Sequence, residues 1–424
     1  MIPVLRNSWP LFLGMFMLMM GNGLQSTLLG VRGGLENFST LQMSIVMSGY
    51  FAGFLLGSRI TPELIRRVGH VRVFAALGST VSAVLILYPV LVDVWAWSIG
   101  RVLIGLCISG VYITAESWLN HSATNETRGQ ALSVYMIVQM GGIILAQYVL
   151  TLGDAAGYVL FIIPSVLVSL SFAPILLSVS PTPATETTKP MRLRNLVEAS
   201  PLAAVGMFLL GGVFAAQFGM VAVYGSEAGL SVGQISLLVS VIFTASLVAQ
   251  FPIGWLSDRM DRRILIVWAA TIGGIGGLIA AFLGNSFILL LVGAAMVGGM
   301  SNPLYALLIA YANDFLEHDD MPAASAGFIF INGIGAILGP IVMGYAMGQL
   351  GIYAFWLLVA FLMLGLAGYG LLRMIQRPTQ DDFSVEDMTS YAPVSPAGSP
   401  VAVEVAQELY IETELEEQQS DDQG

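Results

Sequence analysis

The residues with the clearest chemical meaning are two ionisable side chains inside one apolar stretch. Arg101 and Glu116 both lie in the segment RVLIGLCISGVYITAESWL, which contains no other charged residue. A charge held in the hydrocarbon core of a membrane costs on the order of several kcal/mol, so it usually marks a binding or gating function. In an α-helix the two side chains would be about 22 Å apart, and they therefore cannot form a direct ion pair.

Each of these charges has two interpretations. Arg101 is predicted to bind an anionic group of a solute or to take part in coupling, or else to pair with a carbonyl group at a helix end. Glu116 lies near the end of the apolar stretch, where Arg128 or loop arginines could reach it. This position favours a structural or gating ion pair over a proton carrier. The helical period places both charges on one stripe with Tyr112.

The elements that must position these side chains are membrane-spanning helices. The chain is 56% hydrophobic and 10% charged, whereas soluble domains are about 25% charged. A spanning helix needs about 20 mostly apolar residues. Such stretches predict an all-α integral membrane protein with twelve transmembrane helices, at residues 9–31, 41–58, 72–92, 95–118, 129–152, 157–178, 201–224, 233–254, 264–284, 286–311, 323–348 and 351–373.

The predicted helices divide into two related halves of six, separated by a polar segment at residues 180–200. An offset of 192 residues matches several polar and glycine positions, namely Ser8 with Ser200, Gly14 with Gly206, Gln25 with Gln217, Ser39 with Ser231, Gln42 with Gln234 and Arg67 with Arg259. After one inserted residue, Gly105, Tyr112 and Gly142 match Gly298, Tyr305 and Gly335. Because transporter folds are commonly built from repeats, this register predicts two pseudo-symmetric six-helix bundles.

Charge predicts the orientation and the domain limits. With the amino terminus in the cytoplasm, fourteen of the sixteen basic residues fall on the cytoplasmic side, as the positive-inside rule requires. Residues 378–424 hold twelve acidic residues and no basic ones, a composition typical of disordered segments. The predicted domains are residues 1–179, a cytoplasmic linker at 180–200, residues 201–374, and a disordered acidic cytoplasmic tail at 375–424.

Patterns typical of enzymes and cofactor sites are either incomplete in this chain or belong to the start of a helix. Ser231 sits in a G-x-S-x-G pattern, but with Gln234 it has the spacing of a helix capping box, and no strand precedes it. Lys189, the sole lysine, is outside any glycine-rich phosphate loop, and the single cysteine, Cys107, cannot form a disulfide or a cysteine metal site. The three histidines lack metal-ligand spacing. We therefore expect no catalytic residue, cofactor, metal or nucleic-acid partner.

Two loops and two helices carry a family resemblance. The segment GWLSDRMDRR, from Gly254, resembles the G-x-L-A-D-R-x-G-R-R loop of the major facilitator superfamily, with Asp261 where that family has glycine. The corresponding loop of the first half keeps Arg67 but has Arg66 where the family has aspartate. The runs RVLIGLCISG and GAILGP resemble the fourth and eleventh helices. The set is most similar to the bacterial YcaD-like branch.

The resemblance implies a site and a gate. In this family, helices 1, 4, 7 and 10 line a central cavity, so mid-depth polar residues on them, joined by two from helices 5 and 11, are the expected contacts: Asn22, Gln25, Arg101, Tyr112, Gln139, Gln217, Asn302, Tyr305 and Asn332. Any single amide among them has interhelical packing as its alternative role. The expected gating charges are Arg67, Glu116, Arg128, Asp258, Arg259, Arg262 and Arg263.

The predicted function is secondary active transport of a small organic solute by alternating access, in a bacterial inner membrane. The mostly amide and hydroxyl lining, with one arginine, favours a polar or weakly anionic solute over a cation. Proton coupling is left open, because Glu116 is the one buried acid. The alternative is a transporter-like sensor or scaffold whose acidic tail recruits a partner.

Overall fold

The structure is a computed structural model that describes residues 2–122, 125–177, 193–316 and 321–376, together with Val401. The helices are α1 (Ile2–Leu35), α2 (Thr40–Val68), α3 (His70–Leu87), α4 (Val94–Ser122), α5 (Asn125–Leu150), α6 (Val159–Leu177), α7 (Leu193–Ala199), α8 (Pro201–Ala215), α9 (Val221–Glu227), α10 (Val232–Ser257), α11 (Arg262–Leu283), α12 (Phe287–Asn313), α13 (Met321–Leu350) and α14 (Ala354–Gln376). A π-helical segment, Ala216–Met220, joins α8 to α9.

These helices provide the twelve predicted spans. Eleven are long and apolar enough to cross a bilayer, and α8, the π-helical segment and α9 together form one of them, Pro201–Glu227. The remaining span belongs to α6, whose shorter apolar part is Val159–Pro174 and contains Pro164 and Pro174. The short α7 lies in the predicted linker, whereas the tail apart from Val401 is outside the described residues.

The helices pack as two bundles with the same pattern of neighbours. In the first bundle α1 contacts α5 and α6, α2 contacts α4, and α3 contacts α4 and α6. In the second bundle α8 contacts α13 and α14, α10 contacts α12, and α11 contacts α12 and α14. The halves meet mainly through α2 with α13, α5 with α10, and α1 with α9. The prediction of two pseudo-symmetric six-helix bundles is therefore confirmed.

Both capping boxes predicted from the sequence are present. The Ser39 backbone N–H donates to Gln42 Oε1 over 2.8 Å, and the Gln42 N–H donates to Ser39 Oγ over 3.2 Å. Ser231 and Gln234 exchange the same two hydrogen bonds over 2.9 and 3.3 Å. Since each pair satisfies backbone donors at a helix start, the G-x-S-x-G pattern at Ser231 is explained by helix capping.

Two matched glycines let paired helices touch backbone to backbone. A Cβ added at Gly105 on α4 would lie 1.9 Å from the Tyr50 carbonyl oxygen on α2. A Cβ added at Gly298 on α12 would lie 2.4 Å from the Ile242 carbonyl oxygen on α10. Small residues at such crossings are how membrane helices gain close contact. The α2–α4 crossing matters for the site because it sets the distance between Tyr50 and Arg101.

The bundle has two distinguishable ends, because successive spans alternate in direction. The loops after α2 and α10, with Arg66, Arg67, Arg259 and Arg263, share one end, here called the arginine-rich end. The loops after α1, α3 and α5 form the opposite, arginine-poor end. There Arg32 pairs with Glu36 through a 2.6 Å contact, within a single turn of helix.

Substitution of Gly105 tests the close crossing of α2 and α4. We expect Gly105→Ala to lower the melting temperature of the purified protein by several degrees, since overpacking of this kind costs about 1–3 kcal/mol. Gly141→Ala on α5 is the matched control, because its Cβ would lie 3.7 Å from its nearest neighbour, Phe16 Cε2. Equal melting temperatures for the two variants in a thermal denaturation assay would contradict the crossing described.

Candidate functional site

Arg101 is buried on α4 without an acidic partner among the described residues. Its side chain is 1% exposed, and its Nε and Nη1 atoms have no hydrogen-bond partner in the same part of the chain. The guanidinium carbon lies 4.7 Å from the centroid of the Tyr50 ring, and Tyr88 is also within electrostatic range of the guanidinium. The helix-end carbonyl considered from the sequence is not bonded to these two nitrogens. A guanidinium stays charged inside a protein, so the positive charge of Arg101 is not neutralised by any carboxylate among the described residues.

A chain of hydrogen bonds connects Tyr50 to two amides of α1. Asn22 Nδ2 donates to the Tyr50 hydroxyl over 3.2 Å, and Gln25 Nε2 donates to Asn22 Oδ1 over 3.2 Å. Asn22 and Gln25 are three residues apart, which puts them on the same helix face. Gln25 Oε1 has no partner within the described part of the chain. The two predicted amides of α1 therefore belong to one cluster with Arg101.

The second half presents a corresponding amide cluster. Gln217 Nε2 donates to Ser301 Oγ over 2.9 Å, and the same hydroxyl is 3.2 Å from Gln217 Oε1. Gln217 lies in the π-helical segment, a distortion often found at functional positions. Next to Ser301, the buried Asn302 has no partner for either Oδ1 or Nδ2 among the described residues.

The two clusters face each other across the interface between the halves. Ser26 Oγ on α1 donates to the carbonyl oxygen of Phe218 over 2.5 Å. The rings of Tyr50 and Phe218 are nearly parallel, with planes 17° apart and centroids separated by 6.4 Å. Both rings line a cavity between α2, α13 and the π-helical segment whose volume is about 30 Å³. This space holds one or two waters, so it is too small for an organic solute.

Contacts between α2 and α13 hold the halves together along their length. Toward the arginine-poor end, Ser48 Oγ donates to the Ile337 carbonyl over 2.7 Å and Thr40 Oγ1 to the Gly344 carbonyl over 3.0 Å. Toward the arginine-rich end, the guanidinium carbon of Arg59 lies 4.5 Å from the centroid of the Phe330 ring. Opening either end of the bundle must therefore separate these two helices there.

The remaining predicted contacts have separate surroundings. The Tyr112 hydroxyl donates to Met19 Sδ over 2.8 Å. Asn332 lines the cavity, yet its Nδ2 already donates to the Met207 carbonyl over 2.9 Å. Gln139 is buried with no described partner for Nε2, and Tyr305 is buried within electrostatic range of Glu116.

Glu116 is buried at a different level from Arg101, as their spacing predicts. The Tyr135 hydroxyl donates to Glu116 Oε1 over 3.2 Å. Arg128, the predicted partner of Glu116, lies in the first turns of α5, and its side chain is outside the described part of the chain. Glu116 therefore lies against α5 and within electrostatic range of α12 in the other half.

The loop arginines make contacts within their own halves. Arg67 is exposed and pairs with Glu63 over 2.7 Å. Arg259 Nη1 donates to the Trp255 carbonyl over 3.0 Å, and its guanidinium carbon lies 4.3 Å from the Trp255 ring centroid. Arg263 pairs over 2.8 Å with Asp261. The aspartate that replaces the family glycine therefore caps and neutralises the start of α11.

Arg262 and Asp258 occupy contrasting positions in the same loop. Arg262 is buried and forms an ion pair with Asp314, which caps the end of α12. Asp258 lines a crevice of about 230 Å³ between α5 and α10, and Ser133 on α5 forms part of the opposite wall. Asp258 thus lies at the interface between the halves.

Sequence reasoning missed several residues of the structure that matter here, among them Tyr50, Phe218 and Asp314. Tyr50 and Phe218 are aromatic residues in apolar helices, which is ordinary in a core, and nothing in their spacing distinguishes them. Asp314 directly follows an apolar stretch and could have been noticed as an acid at a helix end. Ser26, one residue after Gln25, was also not selected although it contacts the other half.

Known proteins that are similar in sequence to this chain are membrane transporters. A family model described as Major Facilitator Superfamily matches residues 11–232 and again residues 202–403. The uncharacterized MFS-type transporter YcaD of Salmonella heidelberg (strain SL476) is 25% identical over 337 residues, covering 78% of this chain and 86% of the relative. An uncharacterized MFS-type transporter of Enterobacter sp. (strain 638) is 28% identical over 339 residues, with the same shares covered.

Two solved structures are similar in fold. The nucleoside transporter NupG superimposes with a TM-score of 0.74 at 14% identity, covering 86% of this chain and 99% of that one. The fucose:proton symporter FucP of E. coli superimposes with a TM-score of 0.57 at 17% identity, covering 88% and 98%. At identities this low, the similarity establishes the fold but gives no information about the solute.

Removal of the Asp314 carboxylate tests the buried ion pair. We expect Asp314→Asn to destabilise the protein strongly, because removing one partner of a buried ion pair costs about 3–5 kcal/mol. Glu198→Gln is the control, since it breaks an exposed pair with Arg194 that is worth at most about 1 kcal/mol. Thermal denaturation in one detergent compares them, and a melting temperature of Asp314→Asn as high as that of the control would refute the pair's role.

Proposed function

Because this chain belongs to the major facilitator superfamily, we propose that it is a secondary transporter that moves a small organic anion across a bacterial inner membrane by alternating access. The twelve spans and the two bundles make it a multi-pass membrane protein. The polar clusters of the two halves face each other at the interface, where a rocking motion would expose a solute to one side and then to the other.

The buried guanidinium of Arg101 is the main support for an anionic solute. A buried charge is normally paired, because desolvation without compensation is unfavourable. The face of Tyr50 covers one side of this charge, and a cation–π contact contributes about 0.5–2 kcal/mol. A carboxylate would form charge-assisted hydrogen bonds with the same guanidinium, which are roughly twice as strong as neutral ones. The carboxylate of the solute therefore supplies the anionic partner that Arg101 lacks among the described residues.

The amides of the two clusters support a small polar solute in the same way. Gln25 Oε1 and both polar atoms of Asn302 have no partner among the described residues. An unsatisfied buried polar group costs about 1–3 kcal/mol, so hydrogen bonds to these atoms become available when a solute or water enters. Gln25 and Asn302 belong to different halves. The affinity for a solute that contacts both would therefore depend on how the two halves are placed relative to each other.

Coupling to protons, if the transporter uses it, would run through Glu116. Arg101 cannot release its proton in a protein, whereas a buried carboxyl group can exist in both protonation states. Tyr135 on α5 donates to this carboxyl group over 3.2 Å. Glu116 is also within electrostatic range of Tyr305 of the other half, so its charge would affect the interaction between the halves.

A disulfide that locks one end tests alternating access without a known solute. A Cβ at Gly348 would lie 3.4 Å from Thr40 Oγ1, so Thr40→Cys with Gly348→Cys should form a disulfide across the halves in a Cys107→Ser background. We expect this disulfide to abolish maleimide labelling of Ser26→Cys from the arginine-poor side, with recovery on reduction.

The complementary readout is Ser58→Cys, which lines the cavity toward the arginine-rich end. Its labelling from that end should persist or accelerate when the disulfide closes the other end. Ser171→Cys, buried within α6 and away from the interface, is the control and should stay unlabelled. If the labelling rates at Ser26→Cys and Ser58→Cys are the same with and without the disulfide, alternating access is excluded.

We further propose that the arginine-rich end and both termini face the cytoplasm, because basic loops are retained there. In the Cys107→Ser background, an impermeant maleimide should label Leu152→Cys in intact cells. It should label Arg194→Cys only after permeabilisation. The two positions lie at opposite ends and are well exposed, at 66% and 86%. The reverse labelling pattern would overturn the orientation.

A further inference from the structure

The cavity between α2, α13 and the π-helical segment is largely aromatic, and it adjoins Arg101 through the ring of Tyr50. Five of its eleven lining residues are aromatic: Tyr50, Phe51, Phe54, Phe214 and Phe218. The first three belong to α2, and the other two belong to α8 and the π-helical segment of the second half. The rings therefore come from both halves and meet at the interface.

The rings form a continuous set around the cavity. Tyr50 contacts Phe51 edge to face at 5.3 Å between centroids, and Phe214 contacts Phe218 at 5.2 Å. Between the halves, Phe51 lies 6.4 Å from Phe214, and Tyr50 is stacked 6.4 Å from Phe218. These cross-half separations are near the upper end of the range for aromatic pairs. Slight separation of the halves would therefore open a flat slot between Tyr50 and Phe218.

We propose that the transported solute is a planar aromatic monocarboxylate, held with its carboxylate on Arg101 and its ring in the slot between Tyr50 and Phe218. This assignment rests on the transport function proposed above and specifies the class of its solute. Tyr50 occupies the guanidinium face in the closed structure. The incoming carboxylate replaces this cation–π contact with charge-assisted hydrogen bonds, while the ring of the solute restores stacking on Tyr50.

The other polar groups of the cavity explain why one carboxylate suffices. Asn332 Nδ2 donates to the Met207 carbonyl over 2.9 Å, and Ser58 Oγ donates to the Leu55 carbonyl over 2.9 Å. These two donors that line the cavity are thus already used within the protein. A second anionic group on the solute would find no charged partner among the described residues that line the cavity, and burying an unpaired charge is unfavourable, so the site disfavours dicarboxylates.

Binding to the purified full-length protein tests this class with three matched probes. Benzoate has the ring and the charge, cyclohexanecarboxylate has the charge on a puckered ring, and benzamide has the ring without the charge. We expect benzoate to bind about tenfold more tightly than either of the others, since stacking and the ion pair each contribute on that scale. Isothermal titration calorimetry in lipid nanodiscs measures all three.

Two substitutions separate the ring from the charge. Phe218→Leu should weaken benzoate about tenfold and leave cyclohexanecarboxylate nearly unchanged, whereas Arg101→Gln should abolish binding of both. Phe243→Leu is the matched control, because Phe243 contacts Phe218 at 5.5 Å but does not line the cavity. If Phe218→Leu fails to fold, Phe51→Leu provides the same comparison.

Equal affinities for benzoate and cyclohexanecarboxylate, or equal effects of Phe218→Leu and Phe243→Leu, would overturn the aromatic assignment. Retention of benzoate binding by Arg101→Gln would overturn the role of the guanidinium. The disulfide experiment distinguishes these failures from failure of the transport proposal. If labelling alternates but benzoate does not bind, the solute class is wrong and transport stands; if labelling does not alternate, both proposals fail.

Discussion

The constraint on which the site depends is a positive charge buried between helices with no negative charge to meet it in the described part of the chain. Arg101 lies about two helical turns inside α4, too deep to be described as an interfacial anchor. The chain covers it with Tyr50, and Tyr50 in turn is held by the hydrogen bond from Asn22 to its hydroxyl and by the glycine crossing at Gly105. The fold therefore buries the Arg101 guanidinium in a position where an anion can bind to it. The closed cavity has room for that anion only once the halves separate.

The two halves share a backbone design but differ in chemistry. The register that matches Gly105 with Gly298 places Ala294 opposite Arg101 and Ile309 opposite Glu116. The second half instead supplies Gln217, Ser301 and the Phe218 ring. At the arginine-rich end the second half has the charged group and the first half lacks it. The position of Arg262, which pairs with Asp314, is occupied in the first half by His70. The first half thus holds the charge of the site, whereas the second half has the buried ion pair at its end.

Much of the fold could be predicted from the sequence because the bilayer leaves few alternatives. Only helices of sufficient length satisfy their backbone in lipid, so apolar stretches predicted the spans and a shared register predicted the two bundles. Arg101 and Glu116 were recognisable since charge inside an apolar run is rare. Tyr50 and Phe218 were not, because their importance comes from the rotation of α2 and from the π-helical segment, which no pattern in the sequence indicates. The partner of Asn332 likewise depends on how α13 packs against α8.

The most direct measurement of the central claim is the position of a bound anion in a crystal of the protein grown with 4-bromobenzoate. The anomalous scattering of bromine locates the ring independently of the protein coordinates. The account predicts a bromine peak at the interface between the halves, with the carboxylate on the Arg101 guanidinium and the aromatic ring between Tyr50 and Phe218. A structure in which Arg101 is still covered by Tyr50, with bromine elsewhere or absent from the interface, would contradict it.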